Sequence, residues 1–151
     1  MGRNVRARWA AIGAAVAVAL GSGGLLTASA AVGSGERAVF VPITPCRLLD
    51  TRPAPDTVGP RSAPLAANDT HTVTVWGANG NCNIPADATG VVMNVAAIAP
   101  SESSFLTVFP AGATRPLAAN LNWVGNDPPK SNAVAVDVSG DGRISFFNLA
   151  G

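Results

Sequence analysis

The sequence predicts an all-β, single-domain protein, either a sandwich or a jelly-roll-like barrel of seven to eight short strands. Runs rich in β-branched and aromatic residues alternate with clusters of Gly, Pro, Asn and Asp, and no helical period persists. The 151-residue chain also contains 12 prolines and 16 glycines, which would interrupt long helices. The predicted strands are residues 38–43, 70–76, 90–98, 104–109, 118–124, 132–138 and 143–149.

Several of these strands have faces that can be assigned, because successive side chains of a strand point to opposite sides. Residues 90–98 are apolar on both faces apart from Asn94, which predicts a central strand. Residues 132–138 place three alternating valines towards the core. Trp123 shares a face with Leu121, and we expect it in the core as well.

The first 30 residues have the features of a signal peptide. A basic start precedes an apolar run at 9–20, and small residues around Ala30 suit cleavage there. An uncleaved membrane anchor is the alternative, but glycines interrupt the apolar run, and a spanning helix needs about 20 predominantly apolar residues. We therefore predict a secreted protein, extracellular or at the cell surface, with membrane attachment only through an uncleaved signal. The predicted parts are the signal peptide at 1–30, a flexible leader at 31–37 and the β-domain at 38–151.

The charge and cysteine content narrow the class of protein. Three of the ten basic residues leave with the signal, so the mature chain has seven basic against nine acidic residues and no basic patch for nucleic acid. Cys46 and Cys82 are the two cysteines, and an even count in an exported chain predicts a disulfide between them. A metal pair is disfavoured, because His71 is the only histidine and no ligand spacing surrounds it. No cofactor is predicted, and we expect His71 to be structural.

Several sequence blocks, spread over nearly all of the mature chain, form one pattern. They are FVP at 40–42, PCRLLDTR at 45–52, IPADAT at 84–89, VVMNV at 91–95, FLTVFP at 105–110, LAANLNW at 117–123, NAV at 132–134 and Asn148. Together they resemble an all-β module of secreted actinobacterial proteins, which occurs alone, in tandem or beside hydrolase domains. The resemblance implies export and a β-fold and assigns no activity to the module.

The family pattern continues into one more hydrophobic strand after the position where this chain stops. If that strand is absent, a neighbouring strand keeps unpaired backbone groups, and such an edge favours pairing with another chain. We therefore expect self-association through an open sheet edge. The alternative is that residues 38–43 fold over the gap.

The stretch LLDTR at 48–52 resembles the LLDTG strand of aspartic proteases. Those enzymes need two carboxylates about 3 Å apart that share a proton. Arg52 replaces the glycine and favours an ionised Asp50, and no second Asp-Thr-Gly occurs. We predict a structural turn in which Asp50 accepts backbone N–H bonds and pairs with Arg47 or Arg52. The alternative is a hydrolase that uses Asp50 with Asp56 or Asp69.

The stretch DVSGDGRIS at 137–145 partly follows a calcium-binding loop. Asn148 stands where that loop has a bidentate Glu, and strands rather than helices are predicted on both sides. We predict a hairpin turn between two strands. Asp137, Ser139 and Asp141 remain weak calcium candidates, and with them the alternative of a calcium-stabilised structural domain.

Residues 70–76 supply a candidate ligand platform. Alternation places Thr72, Thr74 and Trp76 on one face, where an indole beside hydroxyls could stack on a sugar ring or a partner. The alternative is that Trp76 covers the edge of the core. On either interpretation, we expect Trp76 to be the most exposed tryptophan of the mature chain.

These observations favour a non-catalytic extracellular or cell-surface interaction module. Its expected partner is an envelope glycan or another protein. No enzymatic activity is expected.

Overall fold

The computed structural model describes residues 39–150, which contain eight short strands and no helix. The predicted signal peptide, the leader and Ala38 therefore lie outside the described residues. All strand pairs are antiparallel, and the prediction of an all-β protein is confirmed. The strands are β1 Thr70–Thr74, β2 Gly77–Asn79, β3 Cys82–Ile84, β4 Gly90–Ala97, β5 Ser104–Pro110, β6 Leu121–Trp123, β7 Lys130–Asp137 and β8 Arg143–Asn148.

The largest sheet has four strands in the order β1-β8-β5-β6. β8 is central: it pairs with β1 from Thr70↔Phe147 to Thr74↔Arg143 and with β5 on its other side. β1 and β6 are the two edges, so this sheet is open, and the described residues form no closed barrel. The last strand of the described chain is thus paired on both sides. Residues 39–150 contain no helix long and apolar enough to cross a membrane.

Two further pairs of strands complete the fold. β2 and β3 form a small hairpin, and β4 pairs with β7 over their full length. Residues 90–98 were expected to be central, and this prediction is wrong, because β4 has a partner on one side alone. Its residues alternate between half-buried and exposed, and Val92 is 60% exposed. Apart from Asn94, the exposed positions carry small or apolar residues, so the composition resembled that of a strand buried on both faces.

The core lies between one face of the four-stranded sheet and the β4–β7 ribbon. Ile144 at its centre is fully buried, and Val134 of the ribbon is 2% exposed. Half-buried Met93 and Val95 of β4 pack against the same cluster. Each such side chain contributes about 1.5–3 kcal/mol when it is fully buried. The other buried residues of the cluster are Val73, Val75, Cys82, Ile84, Val108 and Phe146.

The opposite face of the sheet is covered in its centre as well. Thr107 is fully buried there, and its hydroxyl donates to the carbonyl of Ala118 over 2.7 Å. Phe147 on the neighbouring strand is 7% exposed, under the guanidinium of Arg115. The connection between β5 and β6 therefore acts as a cover. The sequence predicted a strand at 118–124, whereas the strand begins at Leu121, because the residues before it fold over this face.

Two other sequence predictions need correction. Residues 39–43 form no strand and are exposed, with Phe40 at 72%, although their apolar pattern resembled a strand. The β2–β3 hairpin was missed, because each strand has three residues. At its turn, Gly80 has a φ of 56°, and a side chain there would clash with the carbonyl oxygen of Leu48. Only glycine fits this close backbone approach.

A buried asparagine joins the end of the central strand to the loop before β1. The amide of Asn148 donates to the carbonyls of Leu65 at 3.0 Å and Ala66 at 3.3 Å. Its side-chain oxygen accepts from Ser104 at 3.0 Å. Asn148 is 4% exposed, so these bonds replace all of its contact with water.

We predict that Asn148→Ala lowers the free energy of unfolding by about 1–3 kcal/mol, because it removes the hydrogen bonds that the buried Asn148 side chain makes to Leu65, Ala66 and Ser104. Urea denaturation of the purified protein measures the change. Asn122→Ala is the control, since Asn122 is exposed on β6. Equal midpoints for the two variants would contradict a structural role for Asn148.

Candidate functional site

The corner around Asp50 contains the carboxylate that the sequence offered as a catalytic candidate. The chain is fixed there by a two-bond bridge between Asp50 and Val58, with N···O distances of 2.9 and 3.0 Å. One carboxylate oxygen of Asp50 accepts from Arg47 at 2.6 Å and from Arg52 at 2.7 Å. The other oxygen accepts from the Nε and the backbone N–H of Arg52, both at 3.1 Å. The expected arginine contact is therefore made with both arginines.

These contacts set the charge of the carboxylate. The side-chain hydrogen bonds from Arg52 lower the pKa of Asp50 from 3.8 to about 2, against an opposing contribution from burial. The charges of Arg52 and Arg47 act in the same direction as the hydrogen bonds. Asp50 is thus ionised at neutral pH, whereas a protease dyad needs a carboxylate that retains a shared proton.

The two partners weighed for a hydrolase are also engaged in ion pairs. Asp56 lies 3.0 Å from the Nη1 of Arg52, so it is bound to the same guanidinium that holds Asp50. Asp69 lies 2.7 Å from Arg61. Each of these three aspartates is therefore bound to an arginine. Asp50 acts as a clamp that holds the corner through charged hydrogen bonds.

A disulfide fastens this corner to the rest of the fold. Cys46 and Cys82 are bonded, with their Cα atoms 5.1 Å apart, and the prediction of this pair is confirmed. Next to it, the N–H of Asn81 donates to the carbonyl of Arg47 over 2.8 Å. In the chain-entropy account, closing the 36-residue loop contributes about 3–4 kcal/mol. A disulfide of this kind indicates an oxidising environment.

The predicted calcium loop is a turn closed by its own side chains. The N–H of Gly142 donates to the carbonyl of Ser139 over 2.8 Å, and the hydroxyl of Ser139 bonds the carboxylate of Asp141. The Nε of Arg143 reaches the same carboxylate at 2.8 Å. Hydrogen bonds from Arg143 and then Ser139 lower the pKa of Asp141. The guanidinium of Arg143 thus occupies the position beside Asp141 that a bound calcium ion would need.

Two details of that turn differ from the expectation. β7 pairs with β4 and β8 pairs with β1 and β5, so the turn connects two sheets and the prediction of a hairpin is wrong. A Gly-rich turn reverses the chain and does not determine which strands pair. Asp137 is exposed at the end of β7, opposite Gly90. Across residues 39–150, no group of three or more His, Cys, Asp or Glu side chains is arranged to hold a metal ion.

Trp76 covers the edge of the core. Its indole N–H donates to the carbonyl of Ala88 over 2.9 Å, and its ring packs so closely on Gly142 that a side chain there would lie 2.5 Å away. Thr72 and Thr74 are exposed, and the hydroxyl of Thr72 lies 2.9 Å from that of Ser145. The half-buried Trp76 is more exposed than the other tryptophan that the structure describes, Trp123, at 9%.

Sequence reasoning missed a cleft on the outer face of the four-stranded sheet, beside the β5–β6 connection. It has a volume of about 300 Å³ and lies between Phe105 of β5 and the connection. Phe105 also contacts Phe147, and their ring centroids are 6.3 Å apart. Leu117 at its rim is 100% exposed. The signal in the sequence was weak, because it consisted of one arginine and one leucine in a connecting loop.

Arg115 gives this cleft its charge. Its guanidinium carbon lies 3.8 Å from the centroid of Phe147, which is a cation–π contact. No ion pair or hydrogen bond joins Arg115 to another side chain of residues 39–150. The arginines at 47, 52, 61 and 143 all contact an aspartate. The N–H groups of Arg115 can therefore bind an external acceptor.

A scan against protein-family models and searches of the curated proteins and the solved structures found no match to this chain. Its candidate sites are therefore assigned from their own geometry.

We predict that Asp50→Asn lowers the free energy of unfolding by about 1–3 kcal/mol at pH 7, because the charged hydrogen bonds are weakened. The folded-state pKa of Asp50 is depressed, so this stabilisation is present above pH 3.8 and is lost as the pH falls towards 2. Denaturation curves at pH 7 and near pH 2 measure it. Asp87→Asn is the control, since Asp87 is exposed. An Asp50→Asn midpoint equal to that of the unsubstituted protein at pH 7 would exclude the clamp.

His71 predicts a second pH dependence. Its Nε2 is buried and has no hydrogen-bond partner among residues 39–150, and burial and then Arg61 lower its pKa below 6.5, opposed by Asp69. The unfolded chain therefore binds the proton first, so stability falls as the pH drops below 6.5. We expect His71→Phe to remove this slope between pH 7 and 5. An identical slope in both proteins would show that His71 has an ordinary pKa.

Proposed function

We propose that this chain is a non-catalytic interaction module of an exported protein, acting outside the cell or at its surface. Its binding site is the cleft at Arg115, and its ligand is an acidic envelope glycan. The observation that carries the proposal is a guanidinium that lies over the ring of Phe147 and has no acidic partner among the described side chains.

The chemistry of the cleft suits such a ligand. A guanidinium binds carboxylate or phosphate groups through two parallel hydrogen bonds. The edge of Phe105 and the side chain of Leu117 offer apolar surface beside it, on which the apolar face of a sugar ring can lie. A cleft of about 300 Å³ is at the lower limit for small-molecule sites. It therefore fits one unit of a polymer better than a whole enclosed substrate.

Two other observations support the proposal. Asp50, Asp56 and Asp69 all contact arginines, which opposes their use as a general acid or base. The disulfide and the predicted signal peptide both suit an exported protein.

We predict that the mature protein binds a purified acidic envelope polysaccharide and that Arg115→Gln weakens this binding about 10- to 100-fold, the loss expected for charged hydrogen bonds. Leu117→Ser should weaken it less. Titration calorimetry measures the affinities. Lys130→Gln is the matched control, since it removes one exposed positive charge that does not line the cleft and that pairs with Asp127.

Equal losses for the Arg115 and Lys130 variants would mean non-specific attraction and would contradict the site. Binding to an envelope protein and to no polysaccharide would support the role of an interaction module and would exclude the glycan as its ligand. The alternatives have their own outcomes: turnover of a hydrolase substrate that Asp50→Asn abolishes, or a melting temperature that rises with calcium and falls with a chelator.

A further inference from the structure

In the part of the chain that the structure describes, β4 and β7 pair with each other alone, so each of these long strands keeps one unpaired edge. β4 has eight residues and pairs with β7 alone. The N–H of Val138 donates to the carbonyl of Thr89 over 2.9 Å, which makes these two residues a hydrogen-bonded pair of the ladder. Such pairs alternate along an antiparallel ladder. The backbone groups of the even-numbered residues Val92, Asn94 and Ala96 therefore point away from β7.

This edge lacks the features that normally prevent pairing. Folded proteins protect their strand edges with charged side chains, prolines or bulges. β4 reads GVVMNVAA and contains neither a charge nor a proline. The side chains of Val92, Asn94 and Ala96 are also exposed. By comparison, the edge strand β6 has three residues, and β1 has five. The edge strand β7 is as long as β4, but it has a charged residue at each end, and its Asn132 donates to the carbonyl of Asn120.

We propose that this edge pairs with the β4 edge of a second copy of the chain, antiparallel and around a two-fold axis at Asn94. The two Asn94 residues then face each other, and Val92 of one copy faces Ala96 of the other. In this register, the outward backbone groups of all three residues on each copy are paired, with six hydrogen bonds in total. Side chains that meet across the interface point to the same side of the joined sheet, so the core face of each ribbon continues into the other.

The size of the edge determines the strength of the dimer. Eight strand residues span about 27 Å, and a contact along a single edge buries less than the roughly 1,200–2,000 Å² of a standard stable interface. The dimer is therefore reversible and depends on concentration. It is independent of the cleft at Arg115, but it would join two clefts in one particle and raise the avidity for a polymer.

Sedimentation velocity of the mature protein tests the proposal, with Asn94→Pro as the decisive variant. Proline removes the N–H that faces the second copy, and it is tolerated on an edge strand because no bond to β7 is lost. Asn94→Thr is the matched control, since it changes the same side chain and keeps the N–H. Circular dichroism melting verifies that each variant is folded. Asn94→Lys gives the same test if the proline variant does not fold.

We expect the unsubstituted protein and Asn94→Thr to shift from monomer to dimer as the concentration rises from about 1 μM to 1 mM. Asn94→Pro and Asn94→Lys should stay monomeric, with the association constant at least tenfold lower. A monomeric unsubstituted protein over the whole range would overturn the proposal. So would a dimer that persists in folded Asn94→Pro and Asn94→Lys, because the contact would then lie elsewhere.

Discussion

The carboxylate of Asp50, held by two arginines, is the contact on which the first third of the described chain depends. Residues 44–69 contain no strand, so no sheet orders them. Asp50 closes the turn locally, and the Cys46–Cys82 disulfide connects that turn to β3. This places Leu48 and Leu49 against the core, which they partly cover. Charged hydrogen bonds thus hold this loop in place, as backbone hydrogen bonds hold a strand in a sheet.

The same dependence on polar contacts recurs at other junctions. The core cluster is small, and the ends of its strands are joined to loops by side chains that bond backbone groups. Asn120 accepts from the N–H of Val108 at 2.7 Å, and Asn148 fixes the loop before β1. Because these groups are engaged within the protein, they are unavailable for ligands. Arg115 differs from them, since its guanidinium contacts an aromatic ring and none of the acidic side chains described.

The sequence was sufficient for the features that local chemistry decides. The alternation of short β-rich runs predicted β1 and β4 to β8, and two cysteines in the part of the chain predicted to be exported predicted their bond. The sequence was not sufficient for features that depend on contacts between residues far apart in the chain. The apolar residues of β4 could not show that their second face is exposed, and the Gly-rich turn at 139–142 could not show that it connects two sheets. The cleft was missed for the same reason, because Arg115 meets Phe147 through folding of the β5–β6 connection.

The assignment of Asp50 as a clamp separates a binding module from a hydrolase, and the charge of that carboxylate tests it most directly. The pKa of Asp50 can be measured by an NMR titration of its side-chain carboxyl carbon in the folded protein. We predict that the carboxyl group of Asp50 titrates with a midpoint at about 2, below the ordinary pKa of 3.8. A midpoint at or above 3.8 would contradict it, because a carboxylate bound by Arg47 and Arg52 cannot gain a proton that easily.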